Sequence, residues 1–342
     1  MSKKRERVSL CMPTYNGERY LQPAIESALA QDTEFLELLV VDDGSRDGTV
    51  EIVREIARRD RRVRLHENRE RLGMARNWNR AMELAGGEWV KFIFQDDLMD
   101  TSCVGSMLRA AHESGRPMVA CRRHFLFEET VTEVFRTQFL AYVKSHELAR
   151  ITGGSADITA EQFADLAVAA PLGNCLGEPT AVMFRRGLWS QVGVFDPALR
   201  QFTDWDMWLR LATRVGVVYI DDPLVSFRLH GDSATLTNSR PESRKDALDV
   251  LVLLHKLCGG DAYEPLRAAA RRAHPPVSFD LLMETEYLRL RRLSAATQSD
   301  VLRATWDSVA QMYPDLAPSL ARDVSYLFKQ RLRGLMRRLS SA

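Results

Sequence analysis

Residues 89–97, WVKFIFQDD, join an apolar run directly to a pair of adjacent carboxylates. The apolar part, residues 89–94, has the length and composition of a buried β-strand. Asp96 and Asp97 follow that strand at once, and their mutual repulsion has to be offset by water, hydrogen-bond donors or a cation. The stretch therefore predicts either a strand that emerges into solvent or one side of a binding site.

Similar strands come earlier in the chain, with helical patterns between them. Apolar runs lie at residues 8–12, 36–41 and 63–65, and the apolar residues between them recur at helical spacing. Continuous apolar strands separated by amphipathic helices are typical of a mostly parallel sheet with helices on both faces. We therefore predict an α/β fold, in which ligands bind beyond the carboxyl ends of the strands.

Polar residues follow three of these strands at that edge of the sheet. The first strand runs into PTYNG (13–17), the second into DDGS (42–45) and the fourth into QDD (95–97). One acidic pair is easily explained as a solvated turn, but two pairs at one edge call for a compensating cation or for hydrogen-bond donors. Hard cations such as Mg²⁺ and Mn²⁺ prefer carboxylate oxygens, so the edge is a candidate site for a divalent cation.

The bulk composition is that of an ordinary globular protein. The 342 residues are 45% hydrophobic and 27% charged, with a formal net charge of +1. A balanced charge argues against nucleic acid as a partner, and no apolar run approaches the roughly 20 residues that span a bilayer. The five scattered cysteines suit a reducing compartment. The basic N-terminus lacks an apolar signal core, so we expect a cytoplasmic protein.

The texture of the sequence changes after about residue 240. Before it, strands are predicted at 180–184, 217–220 and 224–227 and a helix at 204–215, whereas 128–176 is irregular apart from a helix at 160–170. Beyond it, strand patterns disappear and Leu, Ala and Arg recur at helical spacing. We predict an α/β domain over residues 1–240 and a helical C-terminal appendage over 241–342.

Four segments occur in an order that resembles the family 2 glycosyltransferases. They are MPTYNGERYLQPAIESALAQ (12–31), LELLVVDDGSRDGTVEIV (36–53), NRERLGMARNWNRAMELAGGEWVKFIFQDD (68–97) and VGVFDPALRQFTDWDMWLRLA (192–212). That family consists of inverting enzymes with the Rossmann-like GT-A fold that use nucleotide-diphosphate sugars. The resemblance covers about residues 8–230. It implies transfer from a UDP- or dTDP-sugar to a hydroxyl of a glycan or lipid-linked acceptor, as in polysaccharide biosynthesis.

The resemblance implies a set of nucleotide-sugar-binding residues at the strand ends. In it, the PTY segment packs on the nucleotide base, and Asp42 accepts a hydrogen bond from the base imide. Arg76 matches the GxxxARN segment near the nucleotide and sugar, although a surface salt bridge is an alternative explanation for it. The full set is Pro13, Thr14, Tyr15, Asn16, Asp42, Asp43, Arg76, Asn77, Gln95 and Asp96.

The resemblance also implies a site for Mn²⁺ or Mg²⁺, with Asp96, Asp97 and His230 as its ligands. Asp96 matches the acid that usually contacts the metal, and Asp97 is its neighbour. Phe94 stands where the family often has a first acid, so one family contact is absent. His230, in FRLHGDSAT (227–235), matches a YRxHxxS ending whose histidine completes the metal or diphosphate site. A lone histidine is more often structural, and that alternative stays open.

The segment TDWD (203–206) matches the family's E-D-x-D segment, in which the first Asp is the catalytic base. Here Thr203 replaces the Glu and Asp204 falls on the base, with Asp206 as the next candidate. Inversion needs such a base, because the attacking acceptor hydroxyl must lose its proton to a carboxylate. A helix start also tolerates an acid through capping and the helix dipole, so Asp204 has a structural alternative.

Two residues are candidates for the acceptor side of the site. Glu178 lies in GEPTAVMFRR (177–186), which resembles an acceptor-lining segment of some relatives, and a buried ion pair with an Arg is its alternative role. Trp205, with Trp208, can be imagined stacking on a sugar ring. The helical spacing of the two tryptophans is more typical of core packing.

Other function classes are less consistent with the sequence. No G-x-x-x-x-G-K-[ST] loop is present, which disfavours a nucleoside triphosphatase. A strand-associated G-x-G-x-x-G is also absent, which disfavours a dehydrogenase. A receiver module has its acid pair after the first strand, whereas here the pair follows the second. A catalytically weak or dead relative that binds a nucleotide sugar as an assembly partner stays open, because Phe94 and Thr203 depart from the family pattern.

The end of the chain, residues 325–342, combines an apolar stripe with basic residues. The stripe consists of Phe328, Leu332, Leu335, Met336 and Leu339. A basic amphipathic helix of this kind either lies on an anionic membrane surface, as a peripheral contact at the inner face, or packs on the catalytic domain or a second subunit of a homo-oligomer.

Overall fold

A computed structural model of the chain describes residues 6–33, 36–238 and 245–297, together with residue 311. The chain divides into two compact units. The first contains residues up to 197 and 203–236, and the second contains residues 198–202 and those from 237 onward. The sequence predicted a single boundary at residue 240 and did not assign residues 198–202 to the second unit.

The first unit is built from strands that alternate with helices. Its strands are β1 (Val8–Thr14), β2 (Leu36–Asp42), β3 (Val63–Glu67), β4 (Trp89–Phe92), β5 (Leu98–Met99), β6 (Met118–Phe127), β7 (Ala156–Ile158), β8 (Val182–Arg185) and β9 (Val217–Leu229). Its helices are α1 (Glu18–Leu29), α2 (Thr49–Arg59), α3 (Met74–Leu84), α4 (Cys103–Ser114), α5 (Glu133–His146), α6 (Leu148–Thr152), α7 (Ala160–Ala169), α8 (Trp189–Val192) and α9 (Thr203–Val215), and α10 (Ala234–Asn238) follows at the junction with the second unit.

In the described part of the chain, nine strands form one sheet. The strand order is β3-β2-β1-β4-β8-β6-β9-β5, and β7 pairs with β9. The pairs β3–β2, β2–β1, β1–β4 and β6–β9 are parallel, whereas β8 runs antiparallel to both of its neighbours. The predicted α/β fold with a mostly parallel sheet is confirmed.

The burial pattern explains why these segments form a sheet with helices packed on it. Every residue of β1 and β2 is buried, as expected for strands covered on both faces. On α1, the buried residues Leu21, Ala24, Ile25 and Ala28 recur at helical spacing and join the core over these strands. Burial of each large aliphatic side chain contributes about 1.5–3 kcal/mol, which favours this packing over an exposed helix.

The register of the strands brings the polar segments to one edge. Thr14 at the end of β1 lies opposite Asp42 at the end of β2. Phe92 at the end of β4 lies opposite Cys11, and the Ile93 N–H donates to the Cys11 carbonyl at 3.0 Å. The three polar segments after β1, β2 and β4 therefore leave the sheet on the same side.

Two expectations about secondary structure are wrong. Residues 128–176 contain α5 and α6 in addition to the predicted helix α7. On α5 only Val143 is buried, so the helix lacks the amphipathic stripe that reveals a helix in a sequence. The two short strands predicted at 217–220 and 224–227 are one strand, β9, whose register against β6 shifts beside Arg122.

The described residues of the second unit are mainly helical, as predicted. Its helices are α11 (Lys245–Gly259), α12 (Glu264–Arg272) and α13 (Phe279–Thr297). Among the described residues, no helix has the length and apolar character needed to cross a membrane. The predicted basic helix at 325–342 lies outside the described residues.

Candidate active site

Asp42 organises the turn that follows β2. Its Oδ1 accepts hydrogen bonds from Thr14 Oγ1 at 3.0 Å and from Ser45 Oγ at 2.5 Å. Its Oδ2 accepts the backbone N–H groups of Gly44 at 3.0 Å and Ser45 at 2.9 Å. The carboxylate is buried, with only 2% of its surface exposed. A base imide would have to share these oxygens, and the predicted hydrogen bond from Asp42 to the base stays a prediction.

Asp43 and Asn77 support the loop that leads into α3. Asp43 accepts hydrogen bonds from Asn68 Nδ2 at 3.0 Å and from the N–H groups of Leu72 and Gly73 at 2.7 and 2.8 Å. Asn77 donates to the Val41 carbonyl at 3.0 Å, and both side chains are buried. Their contacts hold α3 and the loop before it against β2.

Arg76 and Tyr15 have different surroundings from these buried side chains. Arg76 is exposed in the first turn of α3, and no described residue forms an ion pair with it, so the surface salt bridge considered for it is not found. The Arg71 guanidinium lies 3.9 Å from the ring centroid of Tyr15. An exposed, unpaired Arg at a helix N-terminus suits a diphosphate, because both the side chain and the helix end attract anions.

Gln95 joins the end of β4 to the segment after β1. Its Oε1 accepts the Tyr15 N–H at 2.9 Å, and its Nε2 donates to the Tyr15 carbonyl at 3.2 Å. Asn16 has a left-handed backbone with a φ of 48°, and it bridges to the second loop through Ser45 Oγ and the Arg46 N–H. These polar residues of the predicted set therefore fix the loops to each other.

Asp96 and His230 meet at the edge of the sheet. His230 follows β9, and its Nε2 lies 3.0 Å from Asp96 Oδ2. The His230 side chain is 12% exposed and the Asp96 side chain is 19% exposed. Arg228 fixes this arrangement by donating from Nε to the Asp96 carbonyl at 2.9 Å. A carboxylate and an imidazole are thus side by side and accessible.

Asp97 points the other way. It has no exposed surface, and its carboxylate accepts hydrogen bonds from the Thr180 hydroxyl and, at 3.0 Å, from the Arg228 N–H. Burial, with the charge of Asp96 beside it, raises the pKa of Asp97 well above its usual value. These contacts tie β9 to the end of β4, and they occupy the oxygens that the sequence assigned to a metal.

The fit to a divalent cation therefore rests on Asp96 and His230. Within the described ranges, no three His, Cys, Asp or Glu side chains come together as a metal site. Two donors are still what Mg²⁺ or Mn²⁺ often takes from a protein when substrate phosphates and water complete the coordination. Phe94, at the position of the missing acid, stacks on Trp78 with ring centroids 5.0 Å apart.

Asp204 occupies the first turn of α9 and has an unusual acidity. Its Oδ2 accepts a hydrogen bond from Asn174 Nδ2 at 3.1 Å, and its Oδ1 accepts the Trp205 N–H at 2.7 Å. Burial and the nearby negative charge of Glu178 raise the pKa of Asp204 to about 7. A carboxylate with that pKa can accept a proton near neutral pH and release it again.

Glu178 lies beside this base in an ion pair. Its Oε2 is 2.5 Å from Nε of Arg123, and 21% of the Glu178 side chain and 9% of the Arg123 side chain are exposed. The ion-pair alternative for Glu178 is therefore present. The charge of Glu178 nevertheless acts on Asp204, so the residue influences the base whether or not it contacts an acceptor.

The remaining candidates on α9 are buried. Trp205 has no exposed surface, and its Nε1 donates to the Pro171 carbonyl at 2.9 Å. Trp208 is equally buried and donates to the Gly177 carbonyl. Asp206 is also fully buried and pairs with Arg210 at 2.7 Å. The core role considered for the tryptophans is the one that this structure displays, and Asp206 is not accessible as a base.

The comparison with known proteins identifies the family of this α/β unit. The family model described as glycosyl transferase family 2 matches residues 9–164. An uncharacterized glycosyltransferase of Haemophilus influenzae is 38% identical over 92 residues, which are 27% of this chain and 37% of that protein. Residues 9–164 form a glycosyltransferase family 2 domain. The matched range includes Asp42 and Asp96 but ends before Asp204 and His230, so the case for those two residues rests on the sequence motifs and on geometry.

Solved structures show that this glycosyltransferase has the predicted GT-A fold. The structure of TarS 1–349 from Staphylococcus aureus in complex with UDP-GlcNAc is 17% identical, with a TM-score of 0.60 over 93% of this chain and 88% of that one. The mannosyltransferase PcManGT from Pyrobaculum calidifontis, in complex with GDP-Man and Mn²⁺, is 21% identical, with a TM-score of 0.52 over 97% and 88%. At these identities the likeness concerns the fold.

The structure adds residues to the glycosyltransferase site that the sequence did not single out. Arg228 is on β9, and His230 lies two residues later, just after the strand ends. This period-two spacing was the available signal that both face Asp96. Asn174 and Arg123 come from a loop and from β6 and carry no motif. Only the folded chain brings them to Asp204 and Glu178.

Proposed function

We propose that this glycosyltransferase moves a sugar, with inversion, from a UDP- or dTDP-sugar to a hydroxyl of a glycan or lipid-linked acceptor in polysaccharide biosynthesis. The observation that carries the proposal is the environment of Asp204, whose pKa is raised to about 7 by burial and by Glu178. General bases work best with a pKa near the ambient pH. A protein that only binds a nucleotide sugar has no use for such a residue, so the catalytically dead alternative is disfavoured.

In the transfer step, the acceptor oxygen forms a bond to the anomeric carbon while the bond from that carbon to the diphosphate oxygen breaks. Asp204 takes the proton that the acceptor hydroxyl loses. The hydrogen bonds from Asn174 and from the Trp205 N–H fix the orientation of its carboxylate. Preorganisation of this kind matters, because misplacing a reacting group by about 1 Å can lower the rate about 100-fold.

The donor end of the site is supported by the loops after β1, β2 and β4. Tyr15 offers an aromatic surface near Arg71 for a nucleotide base, and exposed Arg76 offers a positive charge for the diphosphate. TarS in complex with UDP-GlcNAc and PcManGT in complex with GDP-Man share the fold, so the fold alone leaves the base and the sugar open. Our preference for UDP or dTDP therefore rests on the sequence resemblance.

Asp96 and His230 would hold a Mn²⁺ or Mg²⁺ ion. When bound, the ion supplies positive charge that stabilises the departing diphosphate. The 3.0 Å separation of the carboxylate and imidazole supports this assignment, and the Mn²⁺ complex of PcManGT is consistent with it. Asp97 would contribute indirectly, since its hydrogen bond from the Arg228 N–H holds the strand that carries His230.

The acceptor would approach Asp204 from the side of Glu178 and Arg123. These two charged residues are next to the base and partly accessible, so they can bind acceptor hydroxyl groups. Trp205 was the other acceptor-side candidate, and a sugar contact there would require its buried ring to become exposed.

A donor screen tests the proposal. The protein is incubated with UDP-, dTDP- and GDP-sugars, with Mn²⁺ or with EDTA, and release of nucleoside diphosphate is measured. We expect release from a UDP- or dTDP-sugar that depends on the metal. The Asp204→Asn variant should bind UDP as the wild type does but lose about 100- to 10,000-fold in turnover. Wild-type turnover in Asp204→Asn would refute the assignment of the base, and equal turnover in EDTA would refute the role of the metal.

A further inference from the structure

Tyr142, on α5, is the most exposed of the Phe, Tyr and Trp side chains in the described part of the chain. It keeps 42% of its surface exposed, on a helix that buries only Val143. A single exposed apolar side chain needs no explanation by itself. What distinguishes Tyr142 is the position of its hydroxyl, which is bound to the loop that holds Asp204.

The hydroxyl of Tyr142 anchors the ring next to the proposed base. It donates to the Leu172 carbonyl at 3.3 Å and accepts the Asn174 N–H, also at 3.3 Å. The side chain of Asn174 donates in turn to Asp204 Oδ2 at 3.1 Å. His146, one turn further along α5, packs on the Tyr142 ring with centroids 4.6 Å apart. The ring is therefore fixed in position, with one residue between its hydroxyl and the carboxylate of the base.

The charges of the site act on the same hydroxyl. Burial raises the pKa of Tyr142, and the hydrogen bond from the Asn174 N–H opposes this rise. The negative charges of Asp204 and Glu178 raise the pKa further. Because an ordinary tyrosine already has a pKa near 10, Tyr142 stays neutral wherever Asp204 can act as a base. Its ring is thus an uncharged surface beside two carboxylates.

The neighbours of Tyr142 on the surface of α5 are mostly polar. Residues three and four positions away are neighbours on a helix. Of these, Gln138 and Ser145 are exposed and His146 is half-buried. Phe139, the remaining one, packs into an aromatic cluster with residues of β6 and β9. A ring in polar surroundings suits a ligand that is itself partly polar, whereas an alkyl chain would need a continuous apolar surface.

A pyranose ring has the chemistry that this combination requires. Its C–H groups carry a small positive charge and can pack on the negative face of an aromatic ring. Its hydroxyls need polar partners, and Glu178 and Arg123 are partly accessible beside Asp204. Ligand sites commonly combine an aromatic surface with a few polar groups in this way.

We propose that Tyr142 is the acceptor platform, on which the sugar ring that carries the attacking hydroxyl stacks. The acceptor is then a glycan that presents a pyranose to Asp204, whether or not a lipid is attached further away. This proposal rests on the proposed role of Asp204 as the base. It gives the acceptor side of the site an accessible aromatic residue in place of the buried Trp205.

Three variants separate the ring of Tyr142 from its hydroxyl and from the exposure of α5. Tyr142→Ala removes the ring, whereas Tyr142→Phe keeps the ring without its hydroxyl. Leu140→Ala is the matched control. Leu140 is 38% exposed on the same helix, and two residues of separation turn it about 200° around the helix axis from Tyr142.

Acceptor use is measured as the glycoside-dependent release of nucleoside diphosphate from UDP- and dTDP-sugars with Mn²⁺. The probes are the methyl pyranosides of glucose, galactose, mannose and N-acetylglucosamine, and 1-octanol represents an alkyl acceptor. Saturation-transfer NMR follows binding of the same probes to the UDP-loaded protein, which is a readout independent of turnover. Calorimetry with UDP and Mn²⁺ checks that each variant is folded at its donor end.

In the wild type, at least one methyl pyranoside should accelerate release and show saturation transfer, whereas 1-octanol should do neither. Tyr142→Ala should weaken saturation transfer and raise the acceptor KM about tenfold, the size expected for the loss of one aromatic contact. Tyr142→Phe should keep the acceptor KM within about threefold of the wild type. Its kcat should fall, because the loop that contains Asn174 loses an anchor. Leu140→Ala should match the wild type in both constants.

The outcomes separate the platform from the proposed function. Wild-type turnover in Asp204→Asn, or no turnover of any nucleotide sugar, overturns the proposed function. Turnover that depends on Asp204, combined with an unchanged acceptor KM in Tyr142→Ala, overturns the platform alone. An equal rise of KM in Tyr142→Ala and Tyr142→Phe also overturns it, since the hydroxyl would then be the cause.

The probes provide a second way to refute the platform. Stimulation by 1-octanol without stimulation by any glycoside overturns it, as does the absence of any glycoside response in both assays. If Tyr142→Ala does not fold, Tyr142→Leu takes its place, because leucine keeps apolar bulk but has no aromatic face. A wild-type acceptor KM in Tyr142→Leu would then refute the proposal.

Discussion

Transfer by this enzyme should switch off as the pH falls through about 7. The pKa of Asp204 is raised to about 7 by burial, with Glu178 as the second cause. The sign follows from the chemistry, because only the ionised carboxylate accepts a proton, so activity is full above the pKa and lost below it. With that pKa, about 10% of the base is ionised at pH 6 and about 1% at pH 5. An aspartate with an ordinary pKa near 3.9 would remain more than about 90% ionised at pH 5.

The assay is the initial rate of nucleoside diphosphate release between pH 5 and pH 9, at saturating donor and Mn²⁺. We expect log kcat to rise with unit slope up to about pH 7 and then to level off. Glu178→Gln should move this limb to lower pH, because it removes a negative charge that favours the protonated form of Asp204 and leaves the Arg123 charge near it. The matched control is Asp157→Asn, which removes an acid of β7 that pairs with Arg116.

Two results would refute this reasoning. A rate that stays constant down to pH 5 would show that the titrating base is not Asp204 in the environment described. A limb that is identical in the wild type and in Glu178→Gln would show that the charge of Glu178 does not reach the base. A limb that moves equally in Asp157→Asn would assign the shift to overall charge instead.

The remaining predictions concern the donor end of the site. Asp96→Asn and His230→Ala should each weaken Mn²⁺-dependent UDP binding about tenfold or more in calorimetry. Asp97→Ala should chiefly lower the free energy of unfolding in urea, by about 1–3 kcal/mol, because two donors lose their buried acceptor. Equal effects of all three variants on UDP binding would contradict this division. Arg76→Ala should weaken UDP binding about 10- to 100-fold, since a hydrogen bond to a charged group contributes about 1.5–3 kcal/mol, and unchanged affinity would exclude contact with the diphosphate.

Much of the donor edge was predictable because its signals are local. The period of apolar residues identifies β1, β2 and β4, and the polar residues after them are read directly from the chain. A parallel sheet then brings the carboxyl ends of those strands to one edge, independently of the side-chain contacts there. Thr14 and Asp42 are adjacent in the register for this reason.

The different fates of Asp96 and Asp97 were decided only by tertiary structure. Asp96 lies in a turn after β4, closed by the Asp97 N–H donating to the Phe94 carbonyl, and nothing local shows which of the two acids faces inward. The answer comes from Thr180 and Arg228, more than 80 residues further along the chain, which donate to Asp97. The sequence could therefore place an acidic pair at the edge, but it could not show that Asp97 is buried while Asp96 stays accessible.

Asp204 shows the same limit at the catalytic end. The TDWD pattern predicts an acid at a helix start, which is a local property. Its pKa of about 7 depends on burial and on Glu178, and its orientation depends on Asn174, all supplied by other segments. Periodicity is a property of neighbouring residues and is visible in a sequence, whereas burial and electrostatic potential are sums over atoms that only the folded chain brings together.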